Sequence, residues 1–208
     1  MDERLPVGIV DYAAGNSASV LRALRHLGLP ARMVTGPAGL DGCSAVVLPG
    51  VGSAGATMRS LAETGLDVAL ASAVRQGRPY VGICVGLQVL FEHSEEDDAD
   101  CLGWLPGSVR RLPSSVRVPQ IGWNFVTWTR PPAGLGDGVD AHYYFVNSYV
   151  AAPARASCVA AEADYGGPFP AAVHEDNVFA TQFHLEKSGP AGLALLSRLL
   201  APGGVLGC

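Results

Sequence analysis

Short apolar runs alternate with amphipathic stretches through the first half of the chain. Residues 5–10, 45–48 and 80–83 are mainly apolar runs that end at turn-forming or polar residues, which is typical of buried strands. Residues 17–27 place apolar side chains three and four positions apart, the spacing of one helical face, and residues 87–92 form a second helix-like segment. This alternation predicts an α/β fold with a doubly wound, mostly parallel sheet.

The second half of the chain has a different pattern. Residues 116–129, 143–151 and 158–163 are rich in Val, Trp, Tyr, Phe and Thr and are separated by proline and glycine. They predict additional antiparallel strands or hairpins attached to the same core, and residues 191–200 predict a closing helix. Because the sequence contains no repeat and no low-complexity linker, we expect residues 1–208 to form a single domain.

Composition excludes several classes of function. The chain has 208 residues, a formal net charge of −5 and no basic run, which disfavours nucleic acid as a ligand. No apolar run has the length of a signal-peptide core or a membrane span, so we expect a cytoplasmic protein that does not bind membranes. The five cysteines are an odd number without a C-x-x-C pair, which predicts neither a disulfide framework nor a zinc site. The low charged fraction, 16%, favours an interior-rich α/β fold or a surface partly covered by a partner.

One cysteine lies where a predicted strand meets a predicted helix. Residues 82–86 are Gly-Ile-Cys-Val-Gly, so Cys84 has a glycine two positions away on each side. This spacing is typical of a nucleophile elbow, in which small residues permit a sharp turn and the following helix directs N–H groups at the thiol and favours the thiolate. The alternative is a buried structural cysteine beside a tight turn, and the glycines alone do not decide between the two.

A base for such a nucleophile is present near the end of the chain. His184 and Glu186 lie two positions apart in a segment that we expect to be extended, where alternate side chains share a face. His184 would then deprotonate Cys84 while Glu186 orients the imidazole and stabilises its protonated form. Taken singly, His184 is more simply a core histidine and Glu186 a solvated carboxylate. Together with the elbow they form a triad hypothesis.

A Pro-Gly-Val-Gly turn, residues 49–52, follows the second apolar run. Its glycines let backbone N–H groups turn toward a developing oxyanion, although an ordinary strand-to-helix turn has the same composition. Together with the elbow, this turn supplies three candidate oxyanion residues: Val51, Gly52 and Val85. A peptide flip in the turn that supplies or withholds one donor would switch the rate.

These motifs belong to a longer series that resembles a known family. Nearly end to end, the chain is similar to the class I (triad) glutamine amidotransferases, and within them to the glutaminase subunits of imidazole glycerol phosphate synthase. The whole class shares the elbow and the His-x-Glu pair, whereas the Pro-Gly-Val-Gly turn, a Gly-Trp-Asn segment and a Glu-Lys-Ser ending indicate the subfamily. The matching segments are residues 11–12, 15–16, 49–52, 82–88, 91–92, 94–96, 105–107, 118–119, 122–124, 144–146, 148–149, 182–184 and 186–188.

The resemblance implies an activity and a partner. It implies that Cys84, His184 and Glu186 hydrolyse glutamine to glutamate and ammonia without a metal or organic cofactor. It also implies a heterodimer with a (β/α)8-barrel cyclase, which receives the ammonia and makes imidazole glycerol phosphate and aminoimidazole carboxamide ribotide in histidine biosynthesis.

The resemblance also assigns roles to residues outside the triad. It places Asn16, Trp123 and Lys187 at the partner face, although core packing is an equal alternative for Trp123. The residues that it places at the glutamine pocket are Gly50, Gln88, Glu96, Asn147, Ser148 and Tyr149.

Four positions depart from the family pattern. Ala13 replaces glycine, Gln120 and Asn147 replace histidine, and Leu185 replaces proline. Gln120 and Asn147 keep hydrogen-bonding capacity but do not titrate near neutral pH, and Leu185 leaves free a backbone that proline would restrict. Two alternatives therefore stay open: an amidotransferase paralogue that serves another synthase, and a partner-binding pseudo-enzyme, which the intact triad disfavours.

Overall fold

The computed structural model describes residues 5–12, 16–136 and 139–206. The first half alternates strands and helices, with β1 (Val7–Val10), α1 (Ser17–His26), β2 (Ala31–Val34), β3 (Val46–Gly50), α2 (Ala54–Thr64), α3 (Leu66–Arg75), β4 (Tyr80–Cys84) and α4 (Val85–Gln88). The second half is mainly strand, with β5 (His93–Ser94), β6 (Ala99–Asp100), β7 (Gly107–Arg111), β8 (Gln120–Trp128), β9 (Ala141–Asn147), β10 (Tyr149–Pro153), β11 (Val159–Asp164), β12 (Pro168–Glu175), β13 (Val178–Thr181) and α5 (Gly189–Leu200). Short 3-10 turns lie at Pro37–Leu40, Glu96–Asp98, Ala156–Cys158 and Leu185–Lys187.

Local sequence explains the bounds of α2, the helix that follows the Pro-Gly-Val-Gly turn. The Ser53 side chain accepts a hydrogen bond from the Ala56 N–H and caps the first turn, which stabilises a helix by about 1 kcal/mol. Gly65 ends α2 in the left-handed conformation (φ 69°), which glycine adopts without steric strain, and α3 begins directly after it.

The large sheet has a parallel half and an antiparallel half. Within the described residues, nine strands pair in the order β2-β1-β3-β4-β13-β12-β11-β8-β9. The pairs from β2 to β13 are parallel, and those from β13 to β9 are antiparallel. Strands β1, β3, β4 and β13 are buried along their whole length, as in parallel sheets covered on both faces. The predicted α/β fold with added antiparallel strands in the C-terminal half is confirmed.

The described residues also form a smaller sheet, in the order β10-β7-β5-β6. Residues 143–151, predicted as antiparallel strands or hairpins, divide between the two sheets at Ser148: β9 ends the large sheet and β10 begins in the small one. The break matters for function because residues 147–149 then form a corner beside the nucleophile elbow rather than the middle of a strand.

The predicted helix over residues 87–92 is wrong beyond its first turn. α4 ends at Gln88, and the carbonyls of Leu90 and Phe91 accept hydrogen bonds from the N–H groups of Leu105 and Gly103. These carbonyls are satisfied by a neighbouring loop, so the helix need not continue in order to pair them. Periodicity alone does not reveal such a competing partner.

The strand register gathers the candidate residues at one edge of the sheet. Gly50 at the end of β3 lies opposite Cys84 at the end of β4, and Ile83 lies opposite Thr181 at the end of β13. The carboxyl ends of parallel strands thus bring together the 49–52 turn, the elbow and the segment that starts at residue 182. In the described part of the chain, no helix is both long enough and apolar enough to cross a bilayer.

Candidate active site

The elbow at Cys84 is a sharp turn whose flanking glycines are packed closely against backbone atoms. Cys84 has φ 56° and ψ −106°, a conformation that costs a non-glycine residue about 1–3 kcal/mol. A Cβ on Gly82 would lie 2.3 Å from the carbonyl oxygen of Gly86, and a Cβ on Gly86 would lie 2.0 Å from that of Leu48. The glycines are therefore required by close backbone packing, which holds the thiol at the strand–helix junction.

His184 lies between Cys84 and Glu186. Its Nδ1 is 2.9 Å from Glu186 Oε1, and the two side chains are 2% and 0% exposed. Burial by itself lowers the pKa of His184, but hydrogen bonds and charge interactions with Cys84 and Glu186 outweigh it and raise the pKa to about 9. The imidazole is thus protonated at neutral pH and lies beside the Cys84 sulfur.

The backbone that joins His184 to Glu186 differs from the expected extended segment. His184 is extended (φ −85°, ψ 105°), but Leu185–Lys187 forms a 3-10 turn. The His184 N–H donates to Tyr144 O at 2.9 Å, and the His184 carbonyl accepts from Ser188 Oγ at 2.6 Å. The two side chains meet through a turn that is anchored at both ends, and not through the alternation of a strand.

Glu186 has a second partner that sequence spacing does not suggest. Asn16 Nδ2 donates to Glu186 Oε1, the oxygen that also contacts His184. Glu186 Oε2 is buried, and no donor among the described residues reaches it. Asn16 therefore lies against the triad from the start of α1, and it helps to fix which carboxylate oxygen faces the imidazole.

The amide side chains of Gln182 and Gln88 form a buried layer next to Cys84. Gln182 Nε2 lies 3.6 Å from Cys84 Sγ, and Gln88 Nε2 donates to Gln182 Oε1 at 3.1 Å and to Tyr149 O at 3.0 Å. The sulfur also lies 3.8 Å from Val146 O. Sequence analysis gave Gln182 no role, because a glutamine next to a motif carries no spacing signal of its own.

A cavity of about 230 Å³ opens beside the thiol. Burial raises the pKa of Glu96 in its lining, an effect partly offset by the Ala54 N–H, which donates to the carboxylate at 3.2 Å. Gly50 lies outside this lining, packed behind the elbow, where an added Cβ would be 2.6 Å from Val85 Cβ. The predicted residues in the lining are Cys84, Gly52, Val85, Gln88, Glu96, Asn147, Ser148 and Tyr149.

The 49–52 turn approaches the elbow from the neighbouring strand. Gly52 has φ 101°, a conformation that glycine adopts without steric strain. The N–H of Val51 and the hydroxyl of Thr57 face the buried Tyr12 hydroxyl, neither with full hydrogen-bond geometry. Burial raises the pKa of Tyr12, these two groups lower it, and the Cys84 charge raises it. The Val51 donor is thus directed toward Tyr12.

Comparison with known proteins identifies the family. Residues 8–201 match the family described as glutamine amidotransferase class-I. The chain belongs to the class-I glutamine amidotransferases. It is 46% identical to the imidazole glycerol phosphate synthase subunit HisH of Herpetosiphon aurantiacus over 193 residues, covering 91% of each chain. It is 43% identical to the HisH subunit of Nitratidesulfovibrio vulgaris over 204 residues, covering 94% of this chain and 96% of the relative. The predicted resemblance is confirmed.

Solved structures share the same class-I amidotransferase fold. A crystal structure of a glutamine amidotransferase superposes with a TM-score of 0.72 at 24% identity, covering 90% of this chain and 94% of the other. The structure of PurLQS from Thermotoga maritima superposes with a TM-score of 0.74 at 19% identity, covering 93% and 96%. At these identities the likeness shows the fold alone.

The three residues predicted at the partner face differ in their exposure: Trp123 and Lys187 are exposed, whereas Asn16 is only partly so. Trp123 is 56% exposed on β8, edge-on to Tyr144 with ring centroids 5.9 Å apart, which disagrees with core packing. Ile121 and Phe125, two positions to either side, are also exposed. Lys187 is exposed at the end of the 3-10 turn, whereas Asn16 turns inward to Glu186.

Two of the departures from the family pattern face each other. Gln120 and Asn147 are direct cross-strand partners of β8 and β9, and both are buried. Asn147 Nδ2 donates to Tyr149 O, but no donor in the described part of the chain reaches Asn147 Oδ1 or Gln120 Oε1. Ala13 and Gly15 lie outside the described residues.

Among the residues that the structure describes, no three His, Cys, Asp or Glu side chains are grouped so that they could hold a metal ion.

Proposed function

We propose that this amidotransferase is the glutaminase subunit of an imidazole glycerol phosphate synthase, which hydrolyses glutamine to glutamate and ammonia in histidine biosynthesis. One observation carries the chemical part of the proposal: Cys84, His184 and Glu186 form a buried series of contacts that ends at a cavity. Similarity to HisH subunits over about nine-tenths of both chains supports the pathway.

Acylation begins with the Cys84 thiolate and the protonated His184. The sulfur attacks the carboxamide carbon of glutamine, and the N–H groups of Val85 and Gly52 stabilise the tetrahedral oxyanion, joined by that of Val51 after a peptide flip turns it away from Tyr12. The intermediate collapses as His184 transfers its proton to the departing nitrogen, so that ammonia leaves and a glutamyl thioester remains. His184 is then neutral.

Hydrolysis of the thioester uses the same histidine as a base. The negative sulfur is one of the groups that raise the pKa of His184, and acylation removes that charge. The neutral imidazole can therefore take a proton from water, whose oxygen attacks the thioester carbon. Collapse of the second tetrahedral intermediate releases glutamate and regenerates the thiolate next to the imidazolium, while Glu186 holds the imidazole in one orientation throughout.

The partner in this proposal is a (β/α)8-barrel cyclase that docks on the exposed face of β8. Ile121, Trp123 and Phe125 are 65%, 56% and 46% exposed on one face of that strand, a larger apolar group than single surface residues usually form. Aromatic side chains of this kind are enriched at protein interfaces. Ammonia released at Cys84 then enters the cyclase without crossing bulk solvent.

Glutamate release tests the proposal directly. The purified chain is assayed with glutamine alone and with the barrel cyclase plus its nucleotide substrate, and Cys84→Ala is the blank. We expect glutamate release to rise steeply in the complex and to vanish in Cys84→Ala.

Two results would contradict the proposal in different ways. Unchanged glutamate release on adding the cyclase, with the Cys84 dependence intact, would indicate a paralogue that serves another synthase. Absence of Cys84-dependent release under all conditions would indicate a pseudo-enzyme.

A further inference from the structure

The side chain of Gln182 lies directly against the nucleophile. Its Nε2 is 3.6 Å from Cys84 Sγ, within the range of an N–H to sulfur hydrogen bond. Gln182 is fully buried and Cys84 is 4% exposed, so water does not compete for the sulfur from this side. A buried amide donor interacts more strongly with a thiolate than with a neutral thiol, because the acceptor then carries a full charge.

The orientation of the Gln182 amide is fixed by its other neighbour. Gln88 Nε2 donates to Gln182 Oε1 at 3.1 Å and to Tyr149 O at 3.0 Å, which uses both of its N–H groups. If the Gln182 amide were flipped, two NH₂ groups would face each other and the buried hydrogen bond would be lost. The Gln88 contact therefore requires that Gln182 presents its N–H group, and not its oxygen, to the sulfur.

The backbone holds this arrangement at both ends. The Gln182 N–H donates to Ala171 O of β12 at 2.8 Å, directly after β13 ends. Two residues later, His184 contacts the same sulfur from another direction. A single short segment therefore supplies both the base and a neutral donor to Cys84.

We propose that Gln182 is a positioning residue for the reaction, which holds the Cys84 sulfur as an oriented thiolate through its Nε2–H and is itself oriented by Gln88. The inference deepens the proposed glutaminase function and rests on it for the kinetic effect. It also assigns Gln88 a role other than gripping glutamine with its amide N–H groups, since both are already used within the protein.

The test compares Gln182→Met with the wild-type protein in two measurements. The first is the pH midpoint for alkylation of Cys84 by iodoacetamide without glutamine, with modification located at Cys84 by peptide mass mapping and Cys84→Ala as the blank. Loss of a donor to the charged sulfur moves this midpoint upward by about one pH unit, equivalent to about tenfold less thiolate below the midpoint. The second is steady-state glutamate release, where kcat falls about tenfold and the KM for glutamine changes less than about threefold.

Two further variants separate positioning from packing. Gln88→Met, which leaves the Gln182 amide in place but unoriented, moves the alkylation midpoint in the same direction by less. Gln76→Met, an exposed glutamine at the end of α3, leaves both measurements unchanged. If Gln182→Met does not fold, the Gln88→Met shift decides the question alone.

The inference is overturned by an unshifted alkylation midpoint in the folded Gln182→Met variant. It is equally overturned if KM rises while kcat stays constant, because Gln182 would then bind substrate. Alkylation does not require glutamine turnover, so a shifted midpoint in a protein that releases no glutamate would refute the proposed function and leave the positioning role standing.

Discussion

The two halves of the large sheet serve different purposes, although they share one core. In the parallel half, β3, β4 and β13 are buried along their length, and the chemical groups lie just beyond their carboxyl ends. In the antiparallel half, β8 alternates buried and exposed positions and leaves Trp123 on the surface between two other large apolar side chains. The comparison shows that the fully buried half positions the nucleophile, while the antiparallel half leaves an apolar face of β8 exposed.

The parallel half is tested at the 49–52 turn, which follows β3 and lies next to the elbow. The Val51 N–H faces Tyr12 in the structure, and we expect a peptide flip to turn it into the oxyanion site. Val51→Pro removes this donor, so partner-stimulated glutamate release should fall by about 10²–10³. Val51→Ala keeps the N–H and should retain activity within a few-fold. Full activity of the proline variant in the complex would refute the assignment of this donor.

The antiparallel half is tested by Trp123→Ala. Truncation of a central aromatic side chain should weaken cyclase binding by about 2 kcal/mol, roughly thirtyfold in Kd. The measurement is calorimetric titration with the cyclase, alongside glutamate release by the free chain, which should not change. Val68→Ala is the matched control, since Val68 is 69% exposed on α3. An equal loss of affinity in the control would mean that β8 is not the docking face.

The triad is tested by the pH dependence of the complex. The raised pKa of His184, about 9, means that the imidazole keeps its proton below that pH and loses it above, so kcat/KM should fall about tenfold per pH unit on the alkaline side. Glu186→Gln removes one of the charges that raise this pKa and should move the alkaline limb to lower pH. Glu63→Gln, exposed on α2, should leave the limb in place. If the alkaline limb stays at the same pH in Glu186→Gln, then Glu186 does not raise the pKa of His184.

The sequence predicted what depends on short-range pattern. The buried strands follow from periodicity and the elbow glycines from close packing, and the resemblance carried by the elbow, the His-x-Glu pair and the other motifs led to the correct family. The sequence did not indicate that Asn16 reaches Glu186, 170 positions away, or that Gln182 faces Cys84 across 98. Those contacts depend on strand register and side-chain direction. The end of α4 at Gln88 was missed for the same reason, because the carbonyls of Leu90 and Phe91 pair with the N–H groups of Leu105 and Gly103.

Beyond the end of β13 the His184 N–H donates to Tyr144 O of β9, and the next residue, Leu185, departs from the proline usual in the family. The backbone there suits proline, because His184 is extended and Leu185 is the first residue of a 3-10 turn. Leu185→Pro should therefore keep glutamate release within about twofold. It should also be more stable than Leu185→Ala by about 1 kcal/mol, because the ring restricts the unfolded chain. Urea unfolding of both variants measures the difference. A tenfold loss of activity in the proline variant alone would show that His184 depends on the backbone freedom that leucine leaves at position 185.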